Sequence, residues 1–387
     1  MPASFFDVAI IGAGVHGASA AFHLASRGRS VVVFDKGTPA GGPTGRSSGI
    51  VRAYYTNPFL ARVANDSIAM FESFSEVTGG GDAGFHRTGF LFLHPGSDLE
   101  RSVANAEVLN DVGVIVDVFN HDVLKSEFPM FDLDEIGCGI WERHAGYADP
   151  ASTTVGLLEA AVRRGAQPRM RTPIVELDVG ERSISLVAAD GSRVGCERVL
   201  LAAGPWTAVL AEQVGAHLPL TVERHVVATG AWGAADPLPF GHADLVNDYY
   251  CKPEGDHLFC LGWLKPAERA DPDRYGEAIA AEETEDLFAA ATGRVKSLDG
   301  AEPRRGWAGL YDVSPDWQPV IGEITENVFV DAGTSGHGFK LAPALGRHVA
   351  DLVTGEPVDA GLEQFHPRRF DEAALLTAGW GAARILG

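Results

Sequence analysis

The sequence has few cysteines, and none lies at a spacing that suggests a bound metal. Four occur in 387 residues, with no C-x-x-C pair and no histidine cluster at zinc-like spacing: Cys138, Cys196, Cys251 and Cys260. We therefore expect no metal site. We also expect free thiols, which are typical of a reducing cytoplasm.

Long apolar runs are also missing. No stretch reaches the ~18 residues of a membrane span. The apolar stretch at residues 8–11 is far shorter than the core of a signal peptide, and no basic segment precedes it. These absences predict a cytoplasmic protein without a membrane partner.

Basic residues are scarce relative to acidic ones. Lys and Arg number 31 against 52 Asp and Glu, which gives a formal net charge of −21. A negative field of this size repels nucleic acid and anionic membranes, so we expect neither as a partner. If the substrate is an anion, a few local cations must overcome this field, and those cations should stand out.

What the sequence does contain begins with a nucleotide-binding pattern. An apolar strand at residues 8–11 is followed by Gly12, Gly14 and Gly17, then by a helix, and Asp35 closes the next apolar strand. In such a motif the glycines permit a tight turn, a close approach of a pyrophosphate and close packing of the helix on the sheet. The phosphates face the helix N-terminus, and the acid binds ribose hydroxyls. The acid argues against NADP but does not separate NAD from FAD, and an ordinary turn with incidental glycines is the alternative.

A second glycine-rich loop lies near the C-terminus. Residues 334–340 have the sequence TSGHGFK and open a predicted helix over residues 339–353. Together the two loops suggest a flavin that is held at its adenine end and at its ring end, which favours a redox enzyme. The alternative is a helix-capping loop whose glycines are steric.

Nucleotide-binding patterns occur at the start, middle and end of the chain, with β-rich sequence between them. We predict an α/β protein with a discontinuous Rossmann-like FAD-binding domain and a β-rich (α+β) substrate-binding domain inserted in two segments. The FAD-binding domain is predicted at residues 1–85, 145–215 and 310–387, and the substrate-binding domain at residues 86–144 and 216–309. Apolar periodicity predicts further helices over residues 57–77 and 275–293.

These motifs resemble those of the D-amino-acid-oxidase superfamily of FAD enzymes, nearest its sarcosine-oxidase and glycine-oxidase branch. The resemblance covers almost the whole chain. It is carried by five segments, namely residues 12–17 with Asp35, 48–55, 202–206, 311–316 and 335–340. It implies FAD as the cofactor and a small amino acid or N-alkyl amino acid, a sarcosine-like amine, as the substrate.

The resemblance also implies which residues contact the flavin. This cofactor-binding set comprises Gly12, Ala13, Gly14, Val15, His16, Gly17, Asp35, Lys36, Ser47, Ser48, Ile174, Ala203, Gly204, Trp206, Gly333, Gly336, His337, Gly338, Phe339 and Lys340.

Three residues are implied at the substrate. In the family, an Arg and a Lys at the positions of Arg52 and Lys340 hold the substrate carboxylate, which orients the reacting carbon toward flavin N5. For either residue the alternative is a solvated surface charge. Tyr250 corresponds to a tyrosine of the substrate pocket, or else it packs beneath a sheet.

Three positions depart from the family pattern. Gly309 stands where sarcosine oxidases carry the cysteine that binds flavin covalently, so we expect non-covalent FAD. Gly49 replaces a basic residue near the flavin. Cys260 aligns with the lysine that activates oxygen, so rapid use of oxygen is in doubt, although Lys265 could substitute.

The predicted reaction is hydride transfer from the substrate to flavin N5, hydrolysis of the imine, and re-oxidation by O₂ to give H₂O₂. One alternative is a 2-hydroxy-acid oxidase or dehydrogenase, with His337 as a candidate base. Another is the flavin subunit of a hetero-oligomeric amine oxidase with partner subunits. A redox-sensing or scaffold protein is the third, but retention of Arg52 and Lys340 argues against it.

Overall fold

The computed structural model describes residues 4–180, 183–233 and 236–377. The predicted FAD-binding domain therefore includes two ends, residues 1–3 and 378–387, that lie outside the described residues. The described helices are α1 (Val15–Ser26), α2 (Pro58–Glu72), α3 (Phe74–Thr78), α4 (Leu99–Asp111), α5 (His121–Glu127), α6 (Pro150–Arg163), α7 (Thr207–Glu212), α8 (Ala281–Ala291) and α9 (Gly338–Thr354). None of these helices combines the length and the apolar character that a membrane crossing requires.

The strands form two large sheets and one small one. They are β1 (Ser4–Ile11), β2 (Val31–Phe34), β3 (Ile50–Val51), β4 (His86–Arg87), β5 (Phe90–Pro95), β6 (Asp117–Asn120), β7 (Ile136–Glu142), β8 (Gly146–Tyr147), β9 (Gln167–Arg169), β10 (Ile174–Val179), β11 (Ile184–Ala188), β12 (Arg193–Leu201), β13 (Thr221–Ala231), β14 (Gly241–Asp244), β15 (Tyr249–Glu254), β16 (Leu258–Trp263), β17 (Glu302–Val313), β18 (Val320–Thr325) and β19 (Val328–Ala332).

The first large sheet has a parallel centre in the order β9-β2-β1-β12-β19, and β18 and the β10–β11 hairpin add antiparallel strands. Strand β2 is buried along its whole length, as expected for a parallel strand covered on both faces. Helix α1 packs on α9, where Gly346 leaves room for Ser19, and the Ser19 hydroxyl donates to the Pro343 carbonyl at 3.1 Å. The predicted α/β class with a Rossmann-like unit is confirmed.

The second large sheet has the order β17-β13-β16-β15-β14-β5-β7-β6 and is mostly antiparallel. Its longest pair, β13 and β17, forms one edge of this sheet, and a β-bridge from Val313 to Thr334 joins the end of β17 to the second glycine-rich loop. In the small sheet β3-β8-β4, strand β3 pairs with β8, which fixes the chain just before Arg52. Residues of both large sheets line the site.

Two local predictions need correction. The helix predicted over residues 275–293 is formed only as α8, because the carbonyls of Gly276 and Glu277 accept hydrogen bonds from the Arg224 side chain and the Ala308 amide. The helix predicted over residues 57–77 is divided at Ser73 into α2 and α3. The predicted domain limits stay a prediction, and the limit between residues 309 and 310 falls inside β17.

Candidate active site

One cavity of about 490 Å³ runs from the strand ends of the first sheet to the inner face of the second. It is lined by most of the residues that the sequence singled out. These are Gly12, Gly14, Val15, His16, Asp35, Lys36, Ser47, Ser48, Arg52, Ile174, Ala203, Gly204, Trp206, Tyr250, Gly336, Gly338, Phe339 and Lys340. Four predicted residues do not line it: Ala13, Gly17, Gly333 and His337.

The first glycine loop has the geometry that its sequence requires. Gly12 has φ +116°, and a Cβ at that position would overlap the carbonyl of Ala202. A Cβ on Gly17 would overlap the carbonyl of Gly12, so α1 approaches the sheet closely only because this residue is glycine. The Asp35 carboxylate accepts from the Ala13 amide at 2.7 Å. Ala13 and Gly17 thus shape the loop from outside the cavity.

At one end of the cavity, charged and aromatic side chains form a partly exposed wall. The Lys36 ammonium lies 3.5 Å from the centre of the Trp206 ring and 2.9 Å from Asp273 Oδ1. The Trp206 indole N–H donates to the same oxygen at 2.9 Å. Asp273 comes from a distant loop, and no motif in the sequence indicated it.

The second glycine loop closes the other end. Gly336 has φ +84°, and a Cβ there would lie 2.5 Å from the Tyr311 ring. A Cβ on Gly338 would lie 2.8 Å from Thr334 Oγ1 and 2.8 Å from His16 Nε2. Both glycines therefore let α9 begin directly against the cavity wall.

His16 joins the two glycine loops. Its Nδ1 lies 2.9 Å from both carboxylate oxygens of Asp331, and its Nε2 lies 3.1 Å from the Gly338 carbonyl. Burial alone would lower the pKa of His16, but Asp331 and the Gly338 carbonyl raise it above its usual value. A protonated ring satisfies both partners by donating to each. Asp331 was not anticipated from the sequence.

Two residues of the second loop that are predicted to contact the flavin, Gly333 and His337, contact other parts of the protein. The Gly333 amide donates to Asp312 Oδ2 at 2.7 Å. His337 is fully buried at the start of α9, with its ring centre 5.7 Å from that of Tyr55. The base of a 2-hydroxy-acid reaction would have to line the cavity. His337 does not line it.

Two buried cations meet at the inner end of the cavity. Arg52 follows β3, is 3% exposed, and donates from Nη1 to the Tyr54 carbonyl at 2.6 Å. Lys340 lies in the first turn of α9 and is 6% exposed. Burial and the Arg52 charge lower the pKa of Lys340 well below its usual value, although Glu142 opposes that shift. Neither residue is a solvated surface charge.

Glu142, at the end of β7, lies beside these cations and was missed in the sequence. It is 1% exposed and accepts from the amides of Ala53 at 2.6 Å and Tyr54 at 3.0 Å. Burial raises the pKa of Glu142 to about 7 against the lowering effects of the Ala53 amide and the Arg52 charge. A lone acid that ends the otherwise uncharged strand β7 was the signal that could have revealed it.

Tyr250 lies on β15 and lines the cavity. Its hydroxyl occupies the space above Gly262 on the paired strand β16, where a Cβ would overlap it. Burial raises the pKa of the Tyr250 phenol, and a hydrogen bond with Ser48 acts in the opposite direction. Tyr250 therefore faces the cavity.

The three positions that depart from the family pattern, Gly49, Gly309 and Cys260, have different surroundings. Gly49 has φ +72°, and a Cβ there would overlap the Ala148 carbonyl, so no basic side chain fits. Gly309 lies against the backbone and Cβ of Arg46. Cys260 is buried away from the cavity and pairs across the sheet with Lys252. Lys265 stacks on Trp263, with its ammonium 3.8 Å from the ring centre.

Sequence comparisons relate the chain to known flavoenzymes. The family model described as FAD dependent oxidoreductase matches residues 7–352. N-methyl-L-tryptophan oxidase of Yersinia pestis is 24% identical, over 94% of this chain and 99% of the relative. The 4-methylaminobutanoate oxidase (formaldehyde-forming) of Paenarthrobacter nicotinovorans is 26% identical over 90% of this chain, and the match spans only 44% of that relative.

Solved structures show the same fold. L-proline dehydrogenase from P. horikoshii superposes with a TM-score of 0.86 at 25% identity, covering 96% of this chain and 99% of that one. Glycine oxidase from Geobacillus kaustophilus superposes with a TM-score of 0.82 at 24% identity, covering 95% and 99%. The second likeness concerns the fold alone.

Proposed function

We infer that this chain, which belongs to the family of FAD dependent oxidoreductases, oxidises a small amino acid or N-alkyl amino acid beside its nitrogen. The observation that carries this proposal is the pair of buried cations, Arg52 and Lys340, at the inner end of the cavity. In a chain of net charge −21, two buried cations in one cavity are suited to hold a carboxylate. The names of two relatives, 4-methylaminobutanoate oxidase and N-methyl-L-tryptophan oxidase, agree with this substrate class.

The residues present fit FAD. The N-terminal ends of α1 and α9 both open onto the cavity, where their amides and positive dipole ends suit a pyrophosphate and an electron-rich ring. Glycines at Gly12, Gly336 and Gly338 keep the walls free of side chains. Gly309 offers no thiol, which supports non-covalent binding at that position. When bound, FAD supplies the acceptor for a hydride equivalent.

The protein contributes orientation and charge. In the proposal, Arg52 and Lys340 bind the carboxylate, and this fixes the position of the carbon that loses hydride. Glu142 partly balances the two cations while it holds the backbone that follows Arg52. Tyr250 limits the width of the cavity beside the substrate. The imine product hydrolyses in water to an amine and a carbonyl compound.

The remaining features are proposals of the same kind. We propose that O₂ re-oxidises the flavin and gives H₂O₂. Another electron acceptor is the alternative, because a buried cysteine occupies position 260, where related oxidases carry the lysine that activates oxygen. The alternative that the chain is the flavin subunit of a hetero-oligomeric amine oxidase also stays a proposal. A cytoplasmic location is supported by four free, buried thiols.

The test is anaerobic flavin reduction by a panel of compounds. The panel contains sarcosine, glycine, proline, several D- and L-amino acids, N-methyl amino acids and 2-hydroxy acids. We expect bleaching of the flavin absorbance by at least one amino acid. Bleaching by 2-hydroxy acids alone would transfer the proposal to the hydroxy-acid alternative, and a protein that binds no FAD would overturn both.

A further inference from the structure

A histidine with a carboxylate partner lines the cavity, outside every motif of the sequence. His225 lies on β13, is 7% exposed, and contributes to the wall of the main cavity. It also lines a second cavity of about 150 Å³, together with Lys265 and Glu268. The imidazole therefore lies between the main cavity and a smaller polar one.

The ring is held in one orientation. Nε2 of His225 lies 3.1 Å from Glu223 Oε2, and the same oxygen accepts from the Ala267 amide at 3.0 Å. Burial raises the pKa of Glu223, but the bonds from His225 and Ala267 outweigh it and leave that pKa below its usual value. Because an ionised carboxylate only accepts, the bond assigns the proton of the neutral ring to Nε2, which leaves Nδ1 as the basic nitrogen.

Stacking fixes the position of the ring relative to the second glycine loop. His225 lies parallel to Tyr311, with ring centres 3.9 Å apart and planes inclined by 19°. Tyr311 in turn packs against Gly336, just before α9 begins with Lys340 in its first turn. The cross-strand neighbour of His225 is Gly309, which adds no side chain beside it.

We propose that His225, oriented by Glu223, accepts the proton that the substrate ammonium must lose before oxidation. This inference rests on the proposed amine substrate. An ammonium has no lone pair to form the new C=N bond, and amines of this kind are mostly protonated at neutral pH, because their pKa lies near 8–10. The ammonium N–H bond breaks and its proton moves to Nδ1 of His225, forming an imidazolium beside Glu223. In the neutral amine, the nitrogen lone pair is free to become the second C–N bond when the neighbouring carbon loses hydride, for which FAD would be the acceptor.

Several other charged or titratable groups surround this pair. Tyr311 faces the ring from β17, and Tyr250 interacts with Tyr311 from β15. Arg269 pairs with Glu223 through a backbone β-bridge, and Arg46 lies beside Gly309. Lys265 and Glu268 line the smaller cavity. Glu142, beside Arg52 and Lys340, has a pKa raised to about 7 by burial. The difference between the pH profiles of wild type and His225→Gln, rather than the wild-type profile alone, therefore tests the role of His225.

The experiment measures the rate of anaerobic flavin reduction from pH 5 to 10 in wild type and His225→Gln, with the best amine of the panel. We expect His225→Gln to slow reduction at pH 7 by about 10²-fold or more, the usual range for loss of a positioned base. We also expect the rate of flavin reduction in His225→Gln to keep rising with pH until the substrate amine is itself deprotonated. Glu223→Gln, which keeps the histidine, should give a smaller loss in the same direction.

A second readout does not depend on turnover. The dissociation constant of acetate, a carboxylate without an amine, is read from the flavin spectrum and should be unchanged in His225→Gln. Identical pH profiles in wild type and both variants would overturn the inference while leaving the proposed function intact. Absence of reduction by every amine in wild type would instead overturn the proposed function.

Discussion

Replacing Glu142 by glutamine should change how the stability of the protein depends on pH. The carboxyl is buried, and its pKa is raised from 4.5 to about 7. Between these values the folded state binds more protons than the unfolded state, so the carboxyl contributes less stability as the pH rises through this window. A shift of this size corresponds to about 3 kcal/mol in the free energy of unfolding. Glutamine does not ionise, so this part of the pH dependence should disappear.

Glutamine also has one acceptor oxygen where glutamate has two. One of the two amides that Glu142 now binds, Ala53 or Tyr54, would lose its partner, at a cost of ~1–3 kcal/mol. We therefore expect Glu142→Gln to be less stable than wild type at pH 5, with the deficit shrinking by up to about 3 kcal/mol by pH 8.

Urea unfolding followed by tryptophan fluorescence, at intervals from pH 5 to pH 8, measures this difference. Subtracting the variant from wild type cancels the contributions of the other titrating groups. Glu326→Gln, at an exposed turn, is the matched control and should shift the midpoint little at any pH. A constant difference between wild type and Glu142→Gln across the range would refute the buried ionisation.

Three further substitutions test other parts of the site. Lys340→Met should weaken binding of a non-oxidisable carboxylate, read from the flavin spectrum, by about 10- to 100-fold, as expected when one charged contact of ~1.5–3 kcal/mol is lost; unchanged binding would remove the lysine from the site. Gly336→Ala should lower both FAD content and melting temperature, because φ is +84° and a Cβ would lie 2.5 Å from a tyrosine ring, whereas Gly276→Ala has open space and should change neither. Asp331→Asn should lower the melting temperature at pH 6 more than at pH 9, since the raised pKa of His16 makes its bond with Asp331 stabilising at low pH and that contribution fades as the pH rises through the folded value; equal losses at both pH values would contradict a charged bond.

Local patterns in the sequence were sufficient for the nucleotide-binding unit. The spacing of Gly12 and Gly17 reflects contacts within one strand–turn–helix segment, so the motif alone predicts its geometry. The last helix was predicted to within a residue at each end, because its apolar periodicity and its flanking glycines, Gly338 and Gly355, are local signals.

Features that depend on distant segments were not predictable in this way. Glu142 binds backbone amides that lie about ninety residues earlier in the chain. His225 becomes part of the site only through the pairing of β13 with β17, which brings it next to Gly309. The helix expected over residues 275–293 is shorter because tertiary hydrogen bonds take the carbonyls of its first part. In each case the deciding partner is remote in sequence.

The central claim is that Arg52 and Lys340 select a carboxylate-bearing amine. The most direct measurement compares anaerobic flavin reduction by an N-methyl amino acid with reduction by the matching N-methyl amine that lacks the carboxylate. Two charged contacts of ~1.5–3 kcal/mol each imply a preference of about 10²-fold or more for the acid in wild type. Arg52→Met, which removes one of the two contacts, should reduce that preference by about 10- to 100-fold. Equal reduction of the two amines by wild type would contradict the account.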